Sequence, residues 1–281
     1  MARTQSEGNI PDSHTIIIPE TPIGLSIAGS DCSAGAGIQA DLKTFTALGV
    51  YGLTVVTAVV AETPHHVVEI QAMSDALVAS QLDVLLQTYP IAAAKTGMLP
   101  STEQIIRLAD LLGSWKKRFP AARLVVDPVI IASSGKSLIT DEALATMQEM
   151  LLPLADLITP NQLESETLLG QQIWDSSDTV RALADKFQTA VLLKGGHSDD
   201  PTTATDLLWT VDGLTEYSTP RIPNGHHLHG TGCTLSAAIT ACLAKGHRLE
   251  NAVAEAKDYL TRCMEQALHW GDVSALGTSN R

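Results

Sequence analysis

Residues 24–48 read GLSIAGSDCSAGAGIQADLKTFTAL, and the fold follows from how this stretch is punctuated. Gly24–Gly29 is a short apolar run of the kind that forms a buried strand. Gly37–Leu48 places Ile38, Leu42, Phe45 and Leu48 at three- and four-residue spacing, which predicts an amphipathic helix. Between them lies a loop of glycine and small residues. Strand, glycine-rich loop, helix is the opening unit of an α/β protein.

The same alternation continues along the chain. Strands are predicted at Leu53–Val60, Ala92–Lys95, Leu124–Asp127, Leu157–Thr159 and Ala190–Lys194, with a polar-edged hairpin at Leu207–Thr210 and Thr215–Ser218. Helices are predicted at Asp75–Leu86, Thr102–Leu112, Asp141–Leu151, Leu163–Leu169, Asp178–Phe187, Thr231–Lys245 and Leu249–Leu268. Composition does not break anywhere between the first strand and the last helix. We therefore expect one doubly wound α/β domain over 21–270, with a central, mostly parallel sheet and helices on both faces. Residues 1–20 read as a polar N-terminal tail with one short strand at Thr15–Ile18, and 271–281 as a C-terminal tail.

Bulk properties exclude several functions. Of 281 residues, 44% are hydrophobic but only 4% aromatic, so the core must be aliphatic, as buried parallel sheets are. The formal net charge of −13 disfavours nucleic acid and anionic membranes. No apolar run is long enough to span a bilayer, and the N-terminus lacks the basic start and apolar stretch of a signal peptide. Cys32, Cys233, Cys242 and Cys263 form no metal or disulfide pattern. A cytoplasmic protein with reduced thiols is expected.

In doubly wound sheets ligands bind beyond the carboxyl ends of the strands, so those ends carry the functional reading. Gly35–Ala40 matches a dinucleotide fingerprint, but the glycines lie too far from the strand, and a plain βα loop or a polar pocket around Asp31 competes with it. His229-Gly230-Thr231-Gly232-Cys233-Thr234 opens an alanine-rich helix. Glycines let successive N–H groups curl into one concavity at the positive end of the helix dipole, an anion hole suited to a phosphoryl group. An ordinary tight turn is the alternative. Cys233, in the first turn of that helix, is expected to have a lowered thiol pKa; a small buried core cysteine is the alternative. Asn161, Glu164 and Glu166 follow a strand and suit either a hydrated Mg²⁺ or simple helix capping. Lys194, also after a strand, suits a phosphate or a solvated turn. His226, His227 and His229 make a structural metal conceivable, although four well-spaced ligands would be usual.

Taken together, IAGSDCSAGAGIQADLKTFTALGVYG, KTGML, VVDPVIIASSG, LITPNQLESE, LLKGGH and HGTGCTLSAAITACLAKG resemble the hydroxymethylpyrimidine/phosphomethylpyrimidine kinases. The likeness runs from Ile23 to Ala267. It implies a ribokinase-like fold, usually a homodimer, and two ATP- and Mg²⁺-dependent transfers. These make the phosphate and then the diphosphate of 4-amino-5-hydroxymethyl-2-methylpyrimidine for thiamine synthesis. By the matched motifs, Asp31, Met98 and Val129 would line the substrate pocket. Gly230, Thr231, Gly232 and Cys233 would form the anion hole, with Cys233 where related enzymes carry an aspartate base. Asn161, Glu164, Lys194 and Lys257 would face ATP and its metal.

The sequence departs from that family at Cys32, at Ala34 (a usual glycine), at His227-Leu228, and at Glu62. The family commonly has glutamine at the last position, reading the pyrimidine edge. Ionised Glu62 can only accept hydrogen bonds. Either the ring nitrogen or Glu62 carries a proton in the complex, or Glu62 turns aside, or the substrate presents donors, as the phenolic hydroxyl of pyridoxine would. A B6-vitamer kinase and a non-catalytic pyrimidine-binding protein are therefore the alternatives.

Overall fold

The computed structural model describes residues 21–131, 138–171, 175–195, 202–222, 225 and 228–278. The predicted strand at Thr15–Ile18, along with His197, His226 and His227, lies outside the described residues.

A nine-stranded sheet runs through the molecule in the order β3-β2-β1-β4-β5-β6-β7-β8-β9. Its strands are β1 (Ile23–Asp31), β2 (Tyr51–Thr63), β3 (His66–Ala72), β4 (Ala93–Thr96), β5 (Arg123–Val126), β6 (Leu157–Ile158), β7 (Ala190–Leu193), β8 (Thr203–Thr210) and β9 (Gly213–Pro220). The six strands from β2 to β7 pair in parallel, while β3 at one edge and β8–β9 at the other are antiparallel. The strand order reverses at β1, which has β2 on one side and β4 on the other. That reversal opens the crevice in which such sheets bind ligands.

Register explains the core. Leu25 pairs with Leu53 and Ala94, Ala94 with Leu124, Val126 with Ile158, and Ile158 with Val191. All of these belong to one apolar cluster. It is covered by α2 (Asp75–Thr88), α3 (Thr102–Arg118), α4 (Asp141–Thr146) and α6 (Ser176–Phe187). The alternate residues Ala93, Val125, Leu157 and Leu192 point to the other face, under α1 (Gly37–Ala47), α7 (Thr231–Ala244) and α8 (Leu249–Glu265). Side chains that alternate between two covered faces are what makes these strands apolar throughout. Helix α7 is buried on nearly every side, and its run of Ala, Ser, Thr and Gly lets it lie close to the sheet and to both neighbouring helices.

Helix starts follow side-chain capping. Ser74, Ser101, Thr140 and Asp175 each accept a backbone N–H from the first turn of α2, α3, α4 and α6. The expected helix Asp141–Leu151 is divided: α4 passes into a π turn at Met147–Leu151. Two further features differ from the sequence reading. β3 is a strand where none was expected, because HVVEIQA is mixed in polarity and half exposed. The last helix stops at Glu265 rather than Leu268. There the chain enters a small hairpin, β10 (Leu268–Trp270) and β11 (Val273–Ala275), turned at Gly271 with φ of 64°. The segment after 270 continues onto the domain, with Leu276 packed on the second cluster and Gly277 N–H bonded to the Cys263 carbonyl.

Candidate active site

Asp31 closes β1 and is buried. Its carboxylate accepts the N–H groups of Ser33 (2.7 Å), Gly35 (3.0 Å) and Ala36 (2.8 Å), and the Ser33 hydroxyl (3.0 Å). These bonds wind the loop that feeds α1. Gly37 at the loop's end has φ of 58°, and a Cβ there would lie 2.4 Å from the Gly29 carbonyl oxygen, so only glycine fits. Nε2 of His229 completes the set at 3.1 Å from Oδ2 of Asp31. Burial pushes the Asp31 carboxyl up, but the bonds from His229, Ala36 and Ser33 outweigh it and hold it well below the usual carboxylate range.

The second glycine turn is stacked on the first. Gly230 has φ of 84°, and a Cβ there would fall 1.8 Å from the carbonyl oxygen of Gly35. Gly35 in turn faces the His229 ring, 2.6 Å from a Cβ position. Within α7 the Thr234 N–H bonds the Gly230 carbonyl. The N–H groups of Thr231, Gly232 and Cys233 precede it in the first turn, where a helix supplies no acceptors, and Gly230 adds no side-chain cap. A Cβ on Gly232 would lie 3.4 Å from Lys194 Nζ and 3.8 Å from Asp127 Oδ2. The helix start therefore faces a charged pair at close range, with no side chain between them.

That pair comes from two other strand ends. Lys194, just past β7, reaches Asp127 Oδ1 at 2.9 Å and Glu164 Oε2 at 3.6 Å. Asp127, just past β5, also accepts the Ser236 hydroxyl from α7 at 3.2 Å. Burial works against the Lys194 charge, but Asp127 and Glu164 outweigh it and raise its pKa well above the usual lysine range. Asn161 caps α5 (Gln162–Leu169): its side chain accepts from Glu164 N–H at 2.9 Å, and Glu164 returns a bond to Asn161 N–H at 2.8 Å. This capping box satisfies two orphan donors and fixes the Glu164 carboxylate beside Lys194. Burial, and after it the Asp127 charge, push the Glu164 carboxyl up against the pull of Lys194. Two buried carboxylates sharing one ammonium have a surplus of negative charge, which is the donor chemistry that suits a hydrated Mg²⁺. Lys257, from α8, forms a separate buried pair with Asp206 at 2.7 Å, and Asp206 also accepts Gly195 N–H at 2.8 Å.

Cys233 corrects an expectation. Its position in the first turn of α7 predicts a lowered thiol pKa; instead burial, reinforced by Asp41 and Asp127, pushes it up to about 11 against Lys95 and the Gly37 N–H. Beneath it lies a fully buried ion pair, Lys95 Nζ to Asp41 Oδ1 at 2.7 Å, both side chains 0% exposed. Ser26 donates to the other Asp41 oxygen, so both oxygens act as acceptors. Burial alone would lower Lys95, but Asp41 holds it above the usual range.

Three predicted residues remain, Met98, Val129 and Glu62. Met98 packs with Ala58, Val60, Val67 and Val129 in a small apolar cluster. Val129 has φ of 44°, a left-handed conformation that costs a β-branched residue strain. Glu62 is half-buried at the end of β2 and lies within 4.8 Å of Asp31 and His229, ligand atom to ligand atom. Burial, then the Asp31 charge, push its carboxyl up, opposed by His229. The residues not singled out in the sequence are Asp127, Asp41, Lys95 and the role of His229. A carboxylate directly after the apolar strand LVV was the available signal for Asp127; nothing local marked Lys95.

A glycine turn at a helix start, facing a lysine held by carboxylates at the ends of a doubly wound sheet, defines a ribokinase-like small-molecule kinase. Solved structures of this class are similar to the chain. Phosphomethylpyrimidine kinase from Clostridium difficile is 36% identical with a TM-score of 0.73, covering 85% of this chain and 98% of that one. The Staphylococcus aureus pyridoxal kinase in complex with AMP-PCP and pyridoxal is 32% identical with a TM-score of 0.81, covering 92% and 95%. Among curated relatives, the hydroxymethylpyrimidine/phosphomethylpyrimidine kinase of Rhizobium meliloti is 44% identical over 88% of this chain and 92% of its own length. The family model described as phosphomethylpyrimidine kinase matches residues 31–277. The chain belongs to the phosphomethylpyrimidine kinase family.

Proposed function

We propose that this kinase transfers the γ-phosphoryl group of ATP to the hydroxymethyl group of 4-amino-5-hydroxymethyl-2-methylpyrimidine, and then to the resulting monophosphate, in thiamine synthesis. The observation that carries the reading is the approach of Gly232, in the first turn of α7, to the Lys194–Asp127 pair with no side chain between them. A transferring phosphoryl group there meets the N–H groups of Thr231, Gly232 and Cys233 on one side and the Lys194 ammonium on the other. Transfer of this kind needs charge stabilisation and alignment more than covalent help. The Cys233 thiol, protonated at neutral pH by its raised pKa, contributes its backbone N–H rather than a base. Mg²⁺ would be held through its waters by Asp127 and Glu164 and would neutralise charge on the phosphates. Asn161 would face the nucleotide from the start of α5, and Lys257 from the middle of α8.

The acceptor would sit over Met98 and Val129, with Glu62 at its polar edge. A B6 vitamer is the second reading, and Glu62 favours it, since a carboxylate accepts from a phenolic hydroxyl without a partner proton. We also place the protein in the cytoplasm, in keeping with four unpaired cysteines. No helix among the described residues is long and apolar enough to cross a membrane. A homodimer would cover Val59 and Val68, which stand 46% and 67% exposed on the β2–β3 ribbon.

The test is product formation from Mg-ATP with hydroxymethylpyrimidine and with pyridoxal in parallel, resolved by anion exchange. Pyrimidine monophosphate followed by diphosphate is expected. Pyridoxal phosphate as the dominant product would move the assignment to the second reading. Transfer to neither would refute both.

A further inference from the structure

Helix α7 ends in a Schellman turn. Gly246, at φ of 86°, donates its N–H to Leu243 at 2.9 Å, and His247 donates its N–H to Cys242 at 3.1 Å. This turn brings the side chains at its two ends together, and the usual pair is apolar. Here the pair is a thiol and an imidazole. Helix α8 then returns antiparallel and supplies a third group. Oε1 of Glu255 lies 3.1 Å from His247 Nδ1, and Oε2 accepts from Cys242 Sγ at 3.6 Å. The three ligand atoms all lie within 4.8 Å of one another.

We propose that Cys242, His247 and Glu255 form a zinc-class metal site that ties the end of α7 to α8. Thiolate, imidazole and carboxylate are the donors Zn²⁺ takes, and three protein ligands leave the fourth position to water. Metal–ligand bonds of zinc length place tetrahedral ligands roughly 3.3–3.6 Å apart, close to the two contacts seen here. The burial gradient fits as well. Cys242 is 1% exposed and Glu255 53%, so the ion would rest on the helix pair and face solvent on one side. Charge balances: the ion displaces the thiol proton, and one thiolate and one carboxylate offset its two positive charges. Because the thiol must give up its proton to bind as thiolate, binding releases one proton and strengthens as pH rises. The site lies at the far end of α7 from the anion hole and uses none of its residues.

The experiment is titration of Co²⁺ into the full chain, following the thiolate-to-cobalt charge-transfer band, with Zn²⁺ as competitor. One equivalent is expected to bind in the wild type and in Cys32→Ser. The band should vanish in Cys242→Ala, and affinity should fall by at least about tenfold in His247→Gln and in Glu255→Gln. Those two replacements are near the surface, and circular dichroism checks their fold. Absence of the band in the wild type, its survival in Cys242→Ala, or unchanged affinity in both surface variants would overturn the proposal.

Discussion

His229 Nε2 lies 3.1 Å from Asp31 Oδ2, and this one contact joins two glycine turns that are 198 residues apart in the chain. Because Asp31 is ionised, Nε2 must carry the proton and donate. Nδ1 is buried and has no hydrogen-bond partner among the described residues. The anion-hole turn is thus positioned by the loop after β1, and the loop by a carboxylate whose oxygens are already filled by backbone donors.

Replacing Asp31 by Asn should therefore cost folding stability before it says anything about substrate. An amide keeps the size but turns one acceptor toward N–H donors, for about 2–3 kcal/mol at neutral pH. The sign of the pH dependence follows from the depressed carboxyl. Its stabilisation is complete above the unfolded pKa of about 3.9 and fades as pH falls toward the folded value. Urea unfolding of both proteins at pH 7 and pH 3 should give a smaller gap at the lower pH. A gap that is constant or widens on acidification would show that the charge of Asp31 is not what holds the loop.

Ala34 sits in the same loop at φ of 60°, in the left-handed region that favours glycine. A left-handed alanine costs about 1–2 kcal/mol, part of which glycine returns as greater freedom of the unfolded chain. Ala34→Gly is expected to raise stability by about 0.5–1 kcal/mol, read as a higher thermal midpoint. A lower midpoint would mean that the loop's conformation is not the one described.

Much of this was legible in the sequence, and the exceptions have physical causes. The parallel strands and their helices announce themselves because both faces of the sheet are covered, which makes every strand a dense apolar run. β3 escaped because an edge strand has little to bury, and the terminal hairpin because Leu268 continues the spacing of α8 by chance. At the site, glycine turns are visible as local patterns. The pairs Lys95–Asp41 and Lys194–Asp127 are not, since they form only when strands far apart in sequence become neighbours. Cys233 misled for the same reason. The helix dipole argument is local, whereas burial and the charges of Asp41 and Asp127 come from tertiary packing.

Cys233 should consequently be a slow nucleophile. With its thiol pushed up to about 11, few molecules carry the thiolate at pH 7. In a Cys32→Ser background, iodoacetamide labelling of Cys233, followed by peptide mass spectrometry, is expected to be slow at pH 7 and to climb until about that pH. Rapid labelling at neutral pH would restore the reading of Cys233 as an activated group.

The claim that phosphoryl transfer occurs beside Gly232 is tested most directly by Gly232→Ala. The new methyl group would stand 3.4 Å from Lys194 Nζ and 3.8 Å from Asp127 Oδ2, in the space assigned to the transferring group. Alanine is the better helix former by about 1 kcal/mol, so the variant should fold at least as well. We predict that kcat for transfer from Mg-ATP to the favoured acceptor falls about 100- to 1000-fold, with the thermal midpoint unchanged or higher. A folded variant that keeps its kcat within about threefold, a loss of well under 1 kcal/mol of transition-state stabilisation, would contradict the account.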